Sequence, residues 1–223
     1  MAREQAAAAS AARKKRLQLV GGALLGVAAI VAVVVAVVVA TGGGGDEKSA
    51  AAAPTSSDTS NVKLPEPQTT DMEAAAKAAG CTLTNAKYEG AGHANKDFKP
   101  SDYKTNPPTS GTHFPEWYDD GVYAPGTTPN LGMLVHTLEH GRIDVQYKPG
   151  TSATDVKKLE ALLASENEGY HMLLFQNTTN MNAAVAATAW THSLTCPAVN
   201  DKIYDAIRTF RARYIDKGPE AVP

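Results

Sequence analysis

The sequence predicts an α+β domain that is preceded by a single transmembrane helix and a flexible linker. A long uncharged apolar run near the N-terminus is followed by a segment rich in Gly, Ala, Ser and Thr, and the remainder of the 223-residue chain alternates helix-type and strand-type apolar patterns. These patterns occur in the order loop-rich N-terminal lobe, helix, strand, helix, strand, strand and helix. This order is typical of a small sheet that helices cover on one side.

The apolar run extends from Leu19 to Ala40 and contains no charged side chain. As an α-helix it would span about 33 Å, which is enough to cross the hydrocarbon core of a bilayer. A basic block, Arg13 to Arg16, precedes it, and such a block stays on the cytoplasmic side. We therefore predict a cytoplasmic basic tail over residues 1–16, a transmembrane anchor over 17–41, and a domain outside the cell membrane.

A cleavable signal peptide has the same order of basic and apolar segments and is the alternative to a retained anchor. The apolar core of a signal peptide is normally about 7–15 residues long, which is shorter than the run found here. Small residues at Val39, Ala40 and Thr41 nevertheless offer a cleavage site, so cleavage stays open. No cysteine follows the run directly, which argues against a lipoprotein anchor.

Residues 42–70 are predicted to form a flexible linker. The segment opens with consecutive glycines and continues through Ala, Ser, Thr and Pro with few charges. Such a composition cannot bury a hydrophobic core. We therefore expect an extracytoplasmic globular domain over 71–223, tethered near the membrane. A single anchor with a long tether suits docking onto a larger membrane protein assembly.

Local patterns predict the elements of the domain. Asp71 is expected to cap a short helix that ends at Gly80. Leu131 to His140 is expected to form a helix closed by Gly141, and Arg142 to Tyr147 a strand. The other predicted elements are a strand at Ala86 to Glu89, a helix at Thr154 to Ser165 capped by Thr154 or Asp155, strands at Tyr170 to Gln176 and Ala183 to Trp190, and a closing helix at Asp201 to Tyr214.

The chain has two cysteines, Cys81 and Cys196, which lie near the two ends of the predicted domain. The space outside the membrane is oxidising, so a disulfide bond between them is the leading prediction. Two buried thiols are the alternative, and copper ligation by a cysteine is a third.

Nucleic acid is not an expected partner. The net charge of −2 provides no broad basic surface. An aromatic group at Tyr103, Trp117, Tyr118 and Tyr123 is not accompanied by a basic stripe, so it is expected to lie in the core or to clamp a loop.

Four of the six histidines and one glutamate are candidates for the site. His136 and His140 are spaced i, i+4, which places both imidazoles on one face of a helix, with Glu139 beside them. His113 lies in a loop rich in Gly and Pro, and His93 lies in another such loop. Clustered neutral imidazoles suit zinc, copper or iron. We predict a site for one divalent transition metal, copper or zinc, at His113, His136 and His140 with His93 or Glu139.

Several motifs connect the chain with a known family. They are PPTSGTH with the DDGVY that follows it, HTLEHG with its trailing strand, TAW, and the terminal GPE. On these motifs the chain resembles the bacterial family called domain of unknown function 3105, from about Gly80 to Glu220. The resemblance implies a membrane-anchored or exported domain, and it brings no established activity.

Two other interpretations of the HTLEH segment stay open. It matches the H-x-x-E-H pattern of inverted zinc peptidases, in which the histidines hold zinc and the glutamate is the general base. Alternatively the cluster is structural, with imidazoles bonded to loop carbonyl groups and Glu139 paired with Arg142. We expect a non-enzymatic binding or accessory module, and a metal-dependent hydrolase is the alternative. His171 and His192 have strand-like surroundings and are left outside the site.

Overall fold

The computed structural model describes residues 53–55, 57–128 and 130–222. The predicted cytoplasmic tail, the predicted anchor and the first part of the predicted linker lie outside the described residues. Within the described ranges, no helix is both long and apolar enough to span a bilayer.

Four α-helices and six β-strands make up the described part of the chain. The helices are α1 (Met72–Ala79), α2 (Leu131–Glu139), α3 (Ala153–Ser165) and α4 (Ile203–Tyr214). The strands are β1 (Thr82–Asn85), β2 (Gly121–Val122), β3 (Ile143–Tyr147), β4 (Met172–Gln176), β5 (Val185–Ala189) and β6 (His192–Cys196). The predicted α+β class is confirmed.

All six strands form one mixed sheet in the order β1-β6-β5-β3-β4-β2. Strand β4 runs parallel to both β2 and β3, whereas β3 with β5, β5 with β6, and β6 with β1 are antiparallel. Helix α3 connects the parallel strands β3 and β4, because a parallel pair needs a long crossover.

Both faces of the sheet are covered, so the prediction of a sheet covered on one side is wrong. Helices α1, α3 and α4 pack in one hydrophobic cluster with alternate residues of β3, among them Ile143 and Val145. Helix α2 and aromatic residues of the loop-rich lobe form a second cluster with Leu173 and Phe175 of β4. The other β3 side chains, Asp144 and Gln146, are polar but also buried. The polar residues of β3 indicated a face exposed to solvent, whereas in the structure this face is also covered.

The helix boundaries follow largely from local capping. Asp71 caps α1, with its Oδ1 accepting from the N–H of Ala74 at 2.7 Å, and the helix ends at Gly80 with φ 70°. Both features confirm the prediction. Helix α3 is capped by Ser152, whose Oγ accepts from the N–H of Asp155 at 3.1 Å. The prediction of Thr154 or Asp155 as the cap is therefore wrong by two or three residues.

Two strands differ from the predicted pattern. No strand forms at Ala86–Glu89, where one was predicted. The strand lies four residues earlier, at Thr82–Asn85, where every residue pairs with β6. Strand β6 has no counterpart among the predicted elements. It is joined to β5 by a tight turn at Trp190 and Thr191, and Thr191 has a positive φ of 62°. Such turns usually contain Asn or Gly, so this one gave no turn signal.

The described residues before position 71 lie against the domain. The N–H of Gln68 donates to Asp205 of α4 at 2.8 Å, and Leu64 packs against the first hydrophobic cluster. Further upstream, the N–H of Thr55 donates to Val122 of β2 at 2.6 Å. This part of the predicted linker is thus bonded to the domain, while the division of the chain at residue 71 stays a prediction.

A disulfide bond joins Cys81 and Cys196, as predicted. Cys81 follows the end of α1 directly, and its N–H donates to the carbonyl of Ala76 at 2.9 Å. Cys196 is the last residue of β6 and is fully buried. The bond therefore ties the first helix to an inner part of the sheet.

Candidate metal centre

Helix α2 carries the HTLEH segment, and its position depends on one glycine. The helix begins after Asn130, whose Oδ1 accepts from the N–H of Met133 at 3.2 Å. A Cβ atom at Gly132 would lie 2.5 Å from the ring of Phe98 and 2.8 Å from the backbone nitrogen of Phe114. Only glycine permits this approach. The helix consequently packs directly on the loop that holds His113.

The loops that carry His93 and His113 are bonded side by side. The N–H of His113 donates to Gly92, and the N–H of Ala94 donates to His113, each at 2.8 Å. Nearby, the N–H of Glu89 donates to the Oγ of buried Ser110 at 3.1 Å. These bonds place both imidazoles at the end of α2 although the two histidines belong to different loops.

A polar network links Asn106, at the start of the His113 loop, to the sheet through Thr179 and Asn177, which are buried although Asn106 is exposed. Asn106 donates from Nδ2 to the carbonyl of Thr179 at 2.9 Å. Asn177 donates to Gln146 of β3 at 2.8 Å, and Gln146 donates to Thr188 of β5 at 3.2 Å. The side chain of Gln146 is thus buried on β3 with its amide bonded to protein groups rather than to water.

Donor atoms of four side chains converge at the end of α2. One atom each from His93, His113, His136 and Glu139 lies within 4.8 Å of all the others. Oε2 of Glu139 is 2.9 Å from Nε2 of His113 and 4.0 Å from Nε2 of His136. Nε2 of His93 is 3.7 Å from the same oxygen and 3.4 Å from Nε2 of His136. This set is called the inner cluster below.

These separations suit donors around one metal ion. With metal–donor distances of about 2.0–2.1 Å, two donors of a tetrahedral ion lie about 3.3 Å apart. The measured separations extend from 2.9 to 4.0 Å. Most of them exceed the usual hydrogen-bond distance of about 2.7–3.2 Å. The inner cluster therefore has the spacing of a coordination shell more than that of a hydrogen-bond network.

Backbone carbonyl groups fix the tautomers of two histidines. Nδ1 of His113 is 2.8 Å from the carbonyl of Gly111, and Nδ1 of His136 is 2.8 Å from the carbonyl of Phe114. A carbonyl only accepts, so each Nδ1 carries the proton. In the neutral ring the Nε2 atom then presents a lone pair. Both lone pairs are thus available to the inner cluster, an arrangement that also orients metal-binding histidines.

The short contact between His113 and Glu139 is not a satisfied hydrogen bond. Their Nε2 and Oε2 atoms are 2.9 Å apart, yet both atoms are buried and lack a hydrogen-bond partner among the described residues. The distance would suit a hydrogen bond, but neither atom has a proton when His113 donates from Nδ1 and Glu139 is ionised. With Glu139 ionised, two acceptors therefore face each other, and a shared cation would satisfy both.

Burial keeps His113 and His136 neutral. It lowers the pKa of His136 to about 4, helped by the neighbouring His113, and it also lowers the pKa of His113. Burial likewise raises the pKa of Glu139 to about 7, and the negative charge of Glu220 acts in the same direction. Each shift disfavours a bare charge inside the cluster. A bound cation would reverse this penalty for the carboxylate.

His140 lies outside the inner cluster, although it is next to His136. It follows the last residue of α2, and its Nε2 lies 3.3 Å from Oε2 of Glu220. Ring nitrogens of His136 and His140 and a carboxylate oxygen of Glu220 form a separate group within 4.8 Å. Glu220 was not predicted, although the terminal GPE motif contains it. The predicted trio of His113, His136 and His140 is therefore divided between two adjacent groups.

Other residues considered from the sequence have different roles. Arg142 donates to Asp120 at 2.7 Å, so the alternative in which it pairs with Glu139 is wrong. His171 is bonded to Asp216 and His192 to Asn85, each at a distance of 2.7 or 2.8 Å, and neither belongs to the inner cluster. The buried aromatic residues Tyr103, Tyr118 and Tyr123 belong to the second hydrophobic cluster, as expected. Trp117 is partly exposed and covers His140, with 4.5 Å between the ring centroids.

Residues 95–222 match the model of a family described as "Protein of unknown function (DUF3105)". The chain belongs to this family. The DUF3105 match includes every residue of the two donor groups except His93, which lies just before it. No curated protein and no solved structure matches the chain.

Proposed function

We propose that this DUF3105 protein is a membrane-tethered, extracytoplasmic binding module without enzymatic activity, and that it holds one divalent transition metal at the inner cluster. The observation that carries the proposal is the convergence of four donor atoms within 4.8 Å. Support comes from the fixed tautomers of His113 and His136, which direct bare lone pairs toward the buried oxygen of Glu139. His93 completes the set from a partly exposed position.

The donor chemistry favours zinc or copper(II). Three imidazole nitrogens and one carboxylate oxygen are borderline ligands that suit both ions. Both cysteines are held in the disulfide bond, so neither supplies a thiolate that would favour copper(I).

A closed shell supports a binding role rather than catalysis. Catalytic zinc sites use three protein ligands and keep one position for water, whereas structural sites use four. The inner cluster offers four protein donors, and three of them are buried. Little room is left for a substrate at such an ion.

Location outside the membrane is supported by three independent features. The basic block before Leu19–Ala40 gives the orientation, and the apolar run gives the anchor. The disulfide bond between Cys81 and Cys196 suits an oxidising compartment. A tethered module in that position would serve a larger membrane protein assembly.

A metal-dependent hydrolase is a second candidate because of the other donor group. His136, His140 and Glu220 would supply three ligands, and Glu139 would be the general base, as the H-x-x-E-H pattern requires. The position of Glu139 argues against this role. Its Oε2 is buried and lies 2.9 Å from His113, on the side of the inner cluster.

Elemental analysis of the full chain tests the proposal. Protein purified in mild detergent, without a histidine tag or chelators, is expected to contain one zinc or copper ion per chain. Replacing His136 or His93 by Ala is expected to remove that ion while the fold is retained. His192→Gln is the matched control, because it removes an imidazole outside both donor groups.

Two outcomes would contradict the proposal. Wild-type protein that takes up no stoichiometric zinc or copper at micromolar concentration would leave the cluster with a structural role only. Zinc-loaded protein that hydrolyses peptide substrates, and loses this activity in Glu139→Gln, would favour the hydrolase instead.

A further inference from the structure

His140 and Glu220 form a second donor group beside the inner cluster. Nε2 of His140 lies 3.3 Å from Oε2 of Glu220, and a ring nitrogen of His136 completes a group within 4.8 Å. The two members differ in exposure, because the side chain of His140 is buried whereas that of Glu220 is 49% exposed. Two imidazoles and a carboxylate that reaches solvent are suitable ligands for a divalent transition metal.

The C-terminal strap, residues 216–222, brings Glu220 to this position. The N–H of Asp216 donates to the carbonyl of Gly141 at 2.9 Å, and the N–H of Glu220 donates to the carbonyl of Glu139 at 3.1 Å. Both carbonyl groups lie at the C-terminal end of α2, where they have no partner inside the helix. Gly218 lies so close to the backbone of Glu139 that a side chain there would collide with it. The backbone of the strap is thus fixed while the Glu220 side chain faces solvent.

A surface groove connects this outer group with the inner cluster. Its lining residues are His93, Pro115, Trp117, His136, His140, Glu220 and Val222. The groove therefore contains members of both donor groups. Trp117 covers His140 at 4.5 Å and lies 5.2 Å from His136, measured between ring centroids. Beyond the groove, His113 and Glu139 are buried.

We propose that His140 and Glu220, together with His136, form an outer capture site that takes a divalent metal from solvent and passes it to the inner cluster. This inference rests on the proposed function and adds the route to the same centre. Nδ1 of His136 is bonded to carbonyl groups, so only Nε2 is available to a metal. One nitrogen cannot hold two ions at once, so the two sites are occupied in turn. As the ion moves inward, it keeps its bond to His136, its bonds to His140 and Glu220 break, and bonds to His93, His113 and Glu139 form, without change of oxidation state.

Stopped-flow measurement of copper(II) uptake tests the capture site. The probe is Cu²⁺ added to metal-free full chain, and uptake is followed by quenching of indole fluorescence. Glu220→Gln is the informative variant because its half-exposed side chain contributes to the outer group and lies outside the inner one. We expect it to slow uptake by about tenfold. The final content is expected to remain one ion per chain by elemental analysis.

Glu116→Gln is the matched control for electrostatic attraction. Glu116 is exposed, and its carbonyl lies 3.2 Å from Nδ1 of His136, but its carboxylate belongs to neither donor group. This variant removes the same charge close to the groove without removing a donor. Its uptake rate is therefore expected to stay close to that of the wild type.

The outcomes separate the capture site from the metal centre itself. Equal slowing in Glu220→Gln and Glu116→Gln would show attraction by charge alone and would overturn the capture site. An unchanged rate in Glu220→Gln would overturn it as well, with one-ion binding left intact. Loss of the stoichiometric ion in this variant would instead make Glu220 a ligand of the final centre. Absence of binding in the wild type would overturn both proposals.

Discussion

Without metal, the variant Glu139→Gln is expected to be more stable than wild type. With metal added, it is expected to be less stable than wild type. In metal-free wild type above the Glu139 pKa of about 7, Oε2 of Glu139 and Nε2 of His113 are two buried acceptors at 2.9 Å. The amide introduced by Glu139→Gln can donate to His113 at the same place. Relief of an unsatisfied buried group contributes about 1–3 kcal/mol.

The expected shifts in melting temperature have opposite signs. For a domain of this size, a stabilisation of about 2 kcal/mol raises Tm by about 4–8 °C, which is the gain expected for the metal-free variant. Free metal at about 1,000 times Kd stabilises a protein that binds it by about 4 kcal/mol. Wild type should therefore gain about 8–16 °C on addition of metal. The variant, which lacks the carboxylate ligand, should gain much less.

Thermal unfolding at pH 8 tests this prediction. Without Zn²⁺ the variant should have the higher Tm, and with Zn²⁺ the wild type should have the higher Tm. The pH is chosen above the pKa of Glu139 so that the carboxylate is ionised. Glu116→Gln controls for loss of a negative charge and should follow the wild type in both conditions. If Glu139→Gln melts at or below the wild-type temperature without metal, the argument that two bare acceptors face each other fails. If zinc raises the Tm of neither protein, the proposal that the inner cluster binds a metal is refuted.

Three further predictions concern topology, the disulfide bond and pH. Protease added to intact, wall-stripped cells should digest the domain, because the basic block is predicted to keep the N-terminus inside. Protection in cells but not in lysates would contradict this orientation. Non-reducing mass spectrometry of protein from its native compartment should show the two cysteines joined. In urea unfolding, the double Cys→Ser variant should have a free energy of unfolding lower by about 4–5 kcal/mol, as the chain-entropy model predicts. Recovery of freely alkylated thiols would refute the bond. Burial raises the pKa of Asp144 well above its usual value, although the hydrogen bond from Thr137 and the charge of Arg142 oppose the shift and that of Asp120 adds to it. Because the folded-state pKa is raised, the contribution of Asp144 to stability should fall as pH rises above about 4, by at most about 1.4 kcal/mol per pH unit, while the lowered pKa values of His113 and His136 contribute in the opposite direction. In urea unfolding across this range, the change in the free energy of unfolding per pH unit should be more positive for Asp144→Asn than for wild type, and equal pH dependences would exclude an effect of this carboxyl group.

The sequence by itself determined the features that depend on near neighbours along the chain. Asp71 and Gly80 delimit α1 through capping and positive φ, both of which are properties of single residues. The apolar patterns predicted α2 and β3 to within about a residue or two, which is the usual uncertainty of helix ends. The pairing of Cys81 with Cys196 followed from the presence of only two cysteines in the chain and from the predicted oxidising compartment.

Only the tertiary structure decided which donors meet. The i, i+4 spacing placed His136 and His140 on one face, but it could not tell that His140, just past the end of α2, faces Glu220. Contacts far apart in sequence brought His93 and His113 to α2, and none of them has a local signature. The approach of helix to loop at Gly132 and the polar network under the His113 loop depend on the packing of the whole domain. Local patterns record the conformation of the backbone, whereas a shared coordination shell requires side chains from separate segments to converge in space.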